Sequence, residues 1–141
     1  MSSPEANAVN AMINFIHETQ RAAERDLAGT GITPAQFFIL KMLLVQRSAN
    51  QVTLAAALGV TAGNISQLQA KLERAGLIER TGQGRAKIAT LTSLGRHLVL
   101  RLEPKYEAFL RERFTCLSAA ELKTLGKLLS KLQQPQLQSD G

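Results

Sequence analysis

The 141-residue sequence has few of the residue types on which many functional sites depend. It contains no tryptophan, one tyrosine, five phenylalanines, one cysteine and two histidines. A single cysteine excludes an intramolecular disulfide, and His17, His97 and Cys116 are too widely separated to form a metal-binding pattern. With so few aromatic residues, the core must consist of leucine, isoleucine, valine and alanine.

The sequence also lacks the patterns of an enzyme. It has no nucleophile motif, no glycine-rich phosphate loop and no paired carboxylates placed for catalysis, so we expect no catalytic residues, cofactor or metal. No apolar run approaches the roughly 20 residues that a membrane span needs, and no signal peptide is recognisable. We therefore expect a cytoplasmic protein that does not contact a membrane.

Positive charge is in excess and is unevenly placed. The net charge is +6 and the sequence pI is about 10, which favours a polyanion as partner. Residues 61–113 contain ten basic and five acidic side chains, whereas the first fifty residues are balanced. Charge alone also fits a basic surface that only keeps the protein soluble.

Two short helices joined by a tight corner are predicted from Thr53 to Arg74. Apolar residues recur at helical spacing: Leu54 and Leu58 in the first helix, and Ile65, Leu68 and Leu72 in the second. Gly59 can adopt the left-handed conformation that ends a helix, and Thr61 can cap the next one. We expect Thr53 to cap the first helix. Two short helices with a glycine corner are typical of a helix-turn-helix.

The outward face of the second helix fits a DNA major groove because its side chains are short and polar. We predict that it binds DNA through Thr61, Gly63, Asn64, Ser66, Gln67, Ala70, Lys71 and Arg74. Gln67 can form two hydrogen bonds with adenine, and Ala70 can contact a thymine methyl group. The alternative is an ordinary solvent-exposed helix, but that usually carries Glu and Lys on this face.

A small basic hairpin is predicted directly after this helix. Leu77–Arg80 and Arg85–Leu91 form its strands, with a glycine turn at Thr81–Gly84. The segment Arg47–Asn50 is predicted as a loop, and Gln51–Val52 as a short third strand. A basic hairpin beside a groove-binding helix fits phosphate or minor-groove contact. The predicted DNA-binding residues of this wing are Arg80, Gln83, Gly84, Arg85 and Lys87.

The remaining chain is predicted to be helical, which gives a mainly α protein with a small β-hairpin wing. Ser3 opens the first helix, Thr33 and Gln36 form a capping box for the second, and Thr92 caps a helix with its stripe at Leu94, Leu98 and Leu102. Ser118 and Glu121 form a capping box for the last helix, which Pro135 ends. The terminal helices carry more leucine than one small domain needs, so we expect a homodimer.

These motifs together resemble the MarR family (multiple antibiotic resistance regulators). The resemblance lies in residues 31–95: Ile32–Phe37, Leu54–Val60, Ser66, Leu72-Glu73, Gly76–Arg80, Arg85, Leu91-Thr92 and Gly95-Arg96. It implies a homodimeric winged helix-turn-helix regulator, usually a repressor relieved by a small ligand or by oxidation. Its segments are then a dimerisation helix at 1–30, the DNA-binding region at 31–92, dimerisation helices at 93–134 and a disordered tail at 135–141.

The sequence departs from this family in the wing. The family usually has an Asp two positions before the residue that matches Arg85, whereas this chain has Gln83 and a shorter hairpin tip. A winged-helix dimer that binds another protein instead of DNA is therefore an alternative, and so is a redox-responsive regulator that uses Cys116.

A small aromatic or phenolic ligand is the effector that the resemblance implies, bound between the dimerisation helices and the winged helix. The candidate residues for its pocket are Phe15, Phe37, Phe38, Tyr106 and Phe109, each of which also fits ordinary core packing. The expected DNA partner is a pseudo-palindromic duplex operator, because a twofold dimer sets its two reading helices about one DNA turn apart.

Overall fold

Polar side chains cap the starts of the helices in the computed structural model, which describes residues 2–134 except for the side chain of Arg85. α1 is Pro4–Asp26, and its N-cap Ser3 accepts a hydrogen bond from the Ala6 amide. α2 is Pro34–Gln46, and Thr33 and Gln36 form the predicted capping box. The predicted tail at 135–141, with the helix stop at Pro135, lies outside the described residues.

The start of α3, Gln51–Leu58, differs from the prediction. Asn50 is the N-cap, because its Oδ1 accepts a hydrogen bond from the Thr53 amide at 2.8 Å. The prediction that Thr53 caps this helix is therefore wrong, as is the prediction of a strand at Gln51–Val52. The strand β1 is Ser48–Asn50, within the segment predicted as a loop.

Three antiparallel strands form the sheet in the order β1-β3-β2, where β2 is Ile78–Thr81 and β3 is Ile88–Leu91. The predicted return strand from Arg85 is too long. Residues Gly84–Ala86 form a 3₁₀ turn, because the amides of Ala86 and Lys87 donate back to the carbonyls of Gln83 and Gly84. The residue that this strand buries is Ala89, at 1% exposure, rather than Ile88 at 43%.

The last three helices are α4, Ala62–Arg74, α5, Ser93–Arg113, and α6, Ala119–Gln133. Thr92 caps α5 as predicted, since its Oγ1 accepts a hydrogen bond from the Gly95 amide at 3.0 Å. The predicted stripe on α5 is shifted, because Leu94 is 58% exposed and the buried residues are Gly95, Val99 and Leu102. Gly95 is buried because the backbone of Leu77 lies directly against it.

Contacts divide the chain into two compact units, residues 1–106 and residues 107–141. The first unit contains an aliphatic core built on the buried face of α2. Its largest fully buried residues are Phe37, Ile39, Leu40, Leu43, Leu54, Ile65, Leu72, Ile78, Gln69 and Val99. The second unit contains the end of α5 and all of α6. No residue of α6 is buried, and its Leu128 and Leu132 are 55% and 71% exposed.

Candidate nucleic-acid interface

The corner between α3 and α4 is fixed by local hydrogen bonds. Gly59 has φ 69° and ends α3, while its amide and that of Val60 donate to the carbonyls of Ala56 and Ala55. The Thr61 Oγ1 then accepts a hydrogen bond from the Asn64 amide at 3.2 Å, which confirms Thr61 as the N-cap of α4. The observed corner is a helix-turn-helix.

α4 is held by one apolar face and presents the opposite face to solvent. Ile65 and Leu72 are 0% and 1% exposed, so their burial fixes the rotation of the helix about its axis. Five of the predicted contact residues in the helix are exposed: Gly63, Asn64, Gln67, Lys71 and Arg74. Ser66 and Ala70 are half-buried at the edges of this face. The result is an exposed strip of short polar side chains that ends in two cations.

Two glutamines support α4 in ways that the sequence interpretation missed. Gln69 is 1% exposed and belongs to the buried face. Its position four residues after Ile65 and three before Leu72 was the available signal, but its polar side chain argued against burial. The Gln51 Nε2 donates to the Ala62 carbonyl at 3.0 Å, which ties α3 to the first turn of α4. The burial of Gln69 and the hydrogen bond from Gln51 both help to fix the orientation of the outer strip of α4.

The wing places its predicted contact residues in different surroundings. Gln83 and Gly84 are exposed at the tip, and Lys87 is half-buried. The 3₁₀ turn of the tip contacts α3. The side chain of Arg85 lies outside the described structure. Arg80 points inward, with 12% of its side chain exposed, and forms an ion pair with Glu73 at 3.1 Å.

Two of the five aromatic residues predicted for a ligand pocket are in ring contact with each other. The rings of Phe37 and Tyr106 lie 4.8 Å apart between centroids, and the Lys41 Nζ lies 5.8 Å from the Tyr106 centroid. Phe38 is 39% exposed on α2, and Phe15 is half-buried on α1. Phe109 is half-buried and belongs to the unit of residues 107–141. Cys116 is exposed and follows α5.

The chain is similar to known proteins over the helices and strands described above. The sequence profile of the MarR family matches residues 32–83, which contain α2, the helix-turn-helix and β2. An uncharacterised HTH-type transcriptional regulator from Bacillus cereus is 29% identical over 124 residues, covering 87% of this chain and 84% of the relative. Over these elements the chain is similar to the MarR family. The helix-turn-helix in the name of that relative is the motif observed here at α3 and α4.

Solved structures of MarR family regulators have the same fold as this chain, which confirms the predicted fold class. A MarR variant from Escherichia coli in complex with operator DNA has a TM-score of 0.79 and 23% identity, covering 94% of this chain and 99% of the other. BpsR from Bordetella bronchiseptica, whose DNA binding is regulated by 6-hydroxynicotinic acid, has a TM-score of 0.81 and 22% identity, covering 89% and 98%. Among the described residues, no helix is long and apolar enough to cross a membrane.

Proposed function

We propose that this chain is a MarR-type transcriptional regulator, which binds a pseudo-palindromic operator as a homodimer, represses transcription, and releases DNA when a small ligand binds. The observation that carries the proposal is the exposed polar strip on α4, held in place by the buried Ile65 and Leu72. We assign base contacts to Asn64, Ser66 and Gln67, and phosphate contacts to the cations at the end of the helix. The wing adds contacts from Gln83, Gly84, Arg85 and Lys87.

Gly63 supports a close approach of the first turn of α4 to DNA. A glycine inside a helix costs about 1 kcal/mol relative to alanine. Apart from the adjacent residues and the backbone of α4 itself, the nearest described atom to a Cβ built at Gly63 is the Thr61 Oγ1, at 4.0 Å, so the fold leaves space for a methyl group. Packing within the chain therefore does not explain this glycine. Contact between this turn and a DNA strand does, because glycine lets a backbone approach a ligand closely.

Selection of duplexes from a random pool, followed by fluorescence anisotropy, tests the DNA-binding proposal. We expect Gln67→Ala to weaken binding to the selected duplex by about 1–3 kcal/mol and to relax the preference at one base pair. Gln46→Ala is the matched control, because Gln46 is an exposed glutamine at the end of α2. If Gln67→Ala and Gln46→Ala bind alike, α4 does not read bases through Gln67.

The same titration separates DNA binding from the protein-interaction alternative. We expect the affinity of the unmodified protein to fall steeply with salt, since each neutralised phosphate releases counterions. A protein that shows no salt-dependent affinity for any duplex in the pool would support a winged helix that binds another protein.

Unburied apolar faces on the terminal helices support the homodimer. On α1, an i, i+3, i+4, i+7 stripe is half exposed: Val9 48%, Met12 37%, Ile13 46% and Ile16 50%. The C-terminal end of α1 is different, because Ala23 and the C-cap residue Leu27 are buried in the first unit. In the second unit, Leu122, Leu128 and Leu132 of α6 are also exposed. Exposed apolar stripes of this kind are typical of surfaces that a second subunit covers.

Sedimentation equilibrium tests the dimer. We expect Ile16→Glu and Leu128→Glu each to raise the dimer dissociation constant by at least about tenfold, because a buried unpaired charge is costly. Val45→Glu is the control, since Val45 is 74% exposed but lies in the winged helix. A monomeric unmodified protein, or dimer loss only in Val45→Glu, contradicts the proposed interface.

Regulation by a small aromatic acid is supported by BpsR, whose DNA binding responds to 6-hydroxynicotinic acid. In this chain, Lys41 lies over the Tyr106 ring and also pairs with Glu103 at 3.5 Å. This places a cation beside an aromatic surface, which suits a ligand with a ring and a carboxylate. Anisotropy titrations with 6-hydroxynicotinic acid and a panel of aromatic acids test the proposal, and an unchanged DNA affinity across the panel contradicts it.

A further inference from the structure

The carboxylate of Glu73 connects the last turn of α4 to strand β2 through two hydrogen bonds. Its Oε2 accepts from the backbone amide of Arg80 at 3.2 Å, and its Oε1 accepts from the Arg80 Nη2 at 3.1 Å. One bond therefore fixes the strand and the other fixes the side chain. Two bonds from one carboxylate give a defined direction as well as a contact.

The guanidinium of Arg80 is turned away from solvent. Its side chain is 12% exposed, and its cross-strand neighbour is Ala89, which is 1% exposed. The Arg80 Nε is buried without a hydrogen-bond partner among the described residues. To reach a DNA phosphate, the Arg80 guanidinium must leave this site and give up its bond to the Glu73 Oε1, while the backbone amide of Arg80 can stay bound to Oε2. Removal of Glu73 leaves a largely covered guanidinium without its acidic partner, which is unfavourable.

Beyond the Glu73–Arg80 pair, the wing is held by the pairing of β2 with β3 and by the contact of its tip with α3. From Thr81 to Ile88, leaving aside the side chain of Arg85, the structure has no ion pair. The tip is short and closes in a 3₁₀ turn against α3. A displacement of β2 relative to α4 shifts the position of the tip on α3, because the hairpin has only three residues between its turn and the Glu73 contact.

We propose that Glu73 and Arg80 are a positioning pair, which sets the angle of the wing to the recognition helix α4. Arg80 then promotes DNA binding through Glu73 and not by contacting phosphate. This inference rests on the proposed function, in which α4 and the wing bind one duplex together.

Removal of the acid distinguishes the two roles of Arg80 by the sign of its effect. If Arg80 contacts phosphate, Glu73→Ala frees a cation and removes a negative charge beside a polyanion, so affinity rises. If the pair positions the wing, Glu73→Ala and Arg80→Ala both weaken binding, by about tenfold each. The double variant then binds DNA no more weakly than the single variant with the lower affinity. The slope of log affinity against log salt concentration stays unchanged.

Two further variants serve as controls. Glu79→Ala removes an exposed acid from the same strand without breaking the pair, and we expect it to leave the affinity unchanged or to raise it. Arg80→Lys keeps the positive charge and one donor, so we expect partial recovery relative to Arg80→Ala. Urea unfolding of each variant shows whether the DNA effect exceeds any loss of folded protein at the assay temperature.

A measurement without DNA keeps this inference separate from the proposed function. Residual dipolar couplings of the amides at 81–87 report the orientation of the wing in the free protein. We expect them to change in Glu73→Ala and Arg80→Ala and to remain unchanged in Glu79→Ala. If the unmodified protein binds no duplex, the proposed function fails, but these couplings still decide whether the pair orients the wing.

Three results overturn the inference. The first is tighter DNA binding by Glu73→Ala. The second is a salt slope that falls by about one in Arg80→Ala while Glu73→Ala binds normally, because that is the behaviour of a direct phosphate contact. The third is an unchanged set of couplings at 81–87 in Glu73→Ala.

Discussion

Replacement of Gly95 by alanine tests the closest backbone packing between α5 and the start of the wing. Gly95 is buried in the first turn of α5, where a Cβ would overlap the carbonyl oxygen of Leu77 and lie 2.9 Å from its carbonyl carbon. Both atoms belong to the backbone, so no side-chain rotation relieves the overlap. Either α5 or the chain at Leu77 must move.

The cost of Gly95→Ala follows from three contributions. Overpacking a close contact costs about 1–3 kcal/mol. The displaced Leu77 carbonyl accepts a hydrogen bond from the Thr92 amide at 3.1 Å, and its weakening adds about 0.5–1.5 kcal/mol. Alanine is preferred over glycine in a helix by about 1 kcal/mol, which acts in the opposite direction. We therefore expect a net loss of about 2 kcal/mol in the free energy of unfolding.

Urea unfolding followed by circular dichroism measures this loss, with Gly126→Ala as the matched control. Gly126 lies inside α6, and a Cβ built there meets no described atom within 4 Å. The control variant should therefore gain up to about 1 kcal/mol from helix propensity alone. If Gly95→Ala is as stable as the unmodified protein, or if both variants shift equally, the proposed packing against Leu77 is refuted.

Three smaller predictions concern α3, α4 and the pairing of Glu73. Asn50→Ala should lower the thermal unfolding free energy by about 1 kcal/mol and Thr53→Ala by much less, because Asn50 supplies the capping oxygen. Gly63→Ala should raise stability by up to about 1 kcal/mol and weaken duplex binding in anisotropy, whereas an unchanged affinity would contradict close DNA approach. The hydrogen bond from the Arg80 side chain lowers the pKa of Glu73. The contribution of ionised Glu73 to folding stability is therefore complete above the ordinary glutamate pKa and is lost as the pH falls through the lowered value. Urea unfolding measured against pH should show this loss in the unmodified protein and not in Glu73→Gln.

The recognition helix could be predicted from the sequence because its determinants are local. Gly59 and Thr61 lie within three residues of the atoms they bond, and Ile65 and Leu72 share a face of one helix. The capping boxes at Thr33 and Ser118 are local in the same way. Patterns that close within one turn of helix are visible in a sequence without knowledge of its tertiary contacts.

The elements that were predicted wrongly depend on distant parts of the chain. β1 forms because Ala49 pairs with Ala89, and this pairing makes Asn50 available as the cap of α3. The shift of the α5 stripe has the same origin, because Gly95 is buried by the backbone of Leu77 and not by its own apolar surface. From the sequence alone, a strand of three residues and a glycine in a helix are both predicted to be exposed.

Contacts that the sequence does not reveal also change the electrostatic interpretation of the interface. A count of charges assigns Arg80 to a basic wing, but the structure pairs this residue with Glu73 and leaves only 12% of its side chain exposed. The described cations that remain exposed beside the reading face are Lys71 and Arg74, both in the last turn of α4. Positive charge and base-reading groups therefore lie on one helix, whose orientation is fixed by its buried face. The wing adds binding energy only if it is held at the correct angle to this helix, and this is why a single carboxylate on α4 can control its contribution.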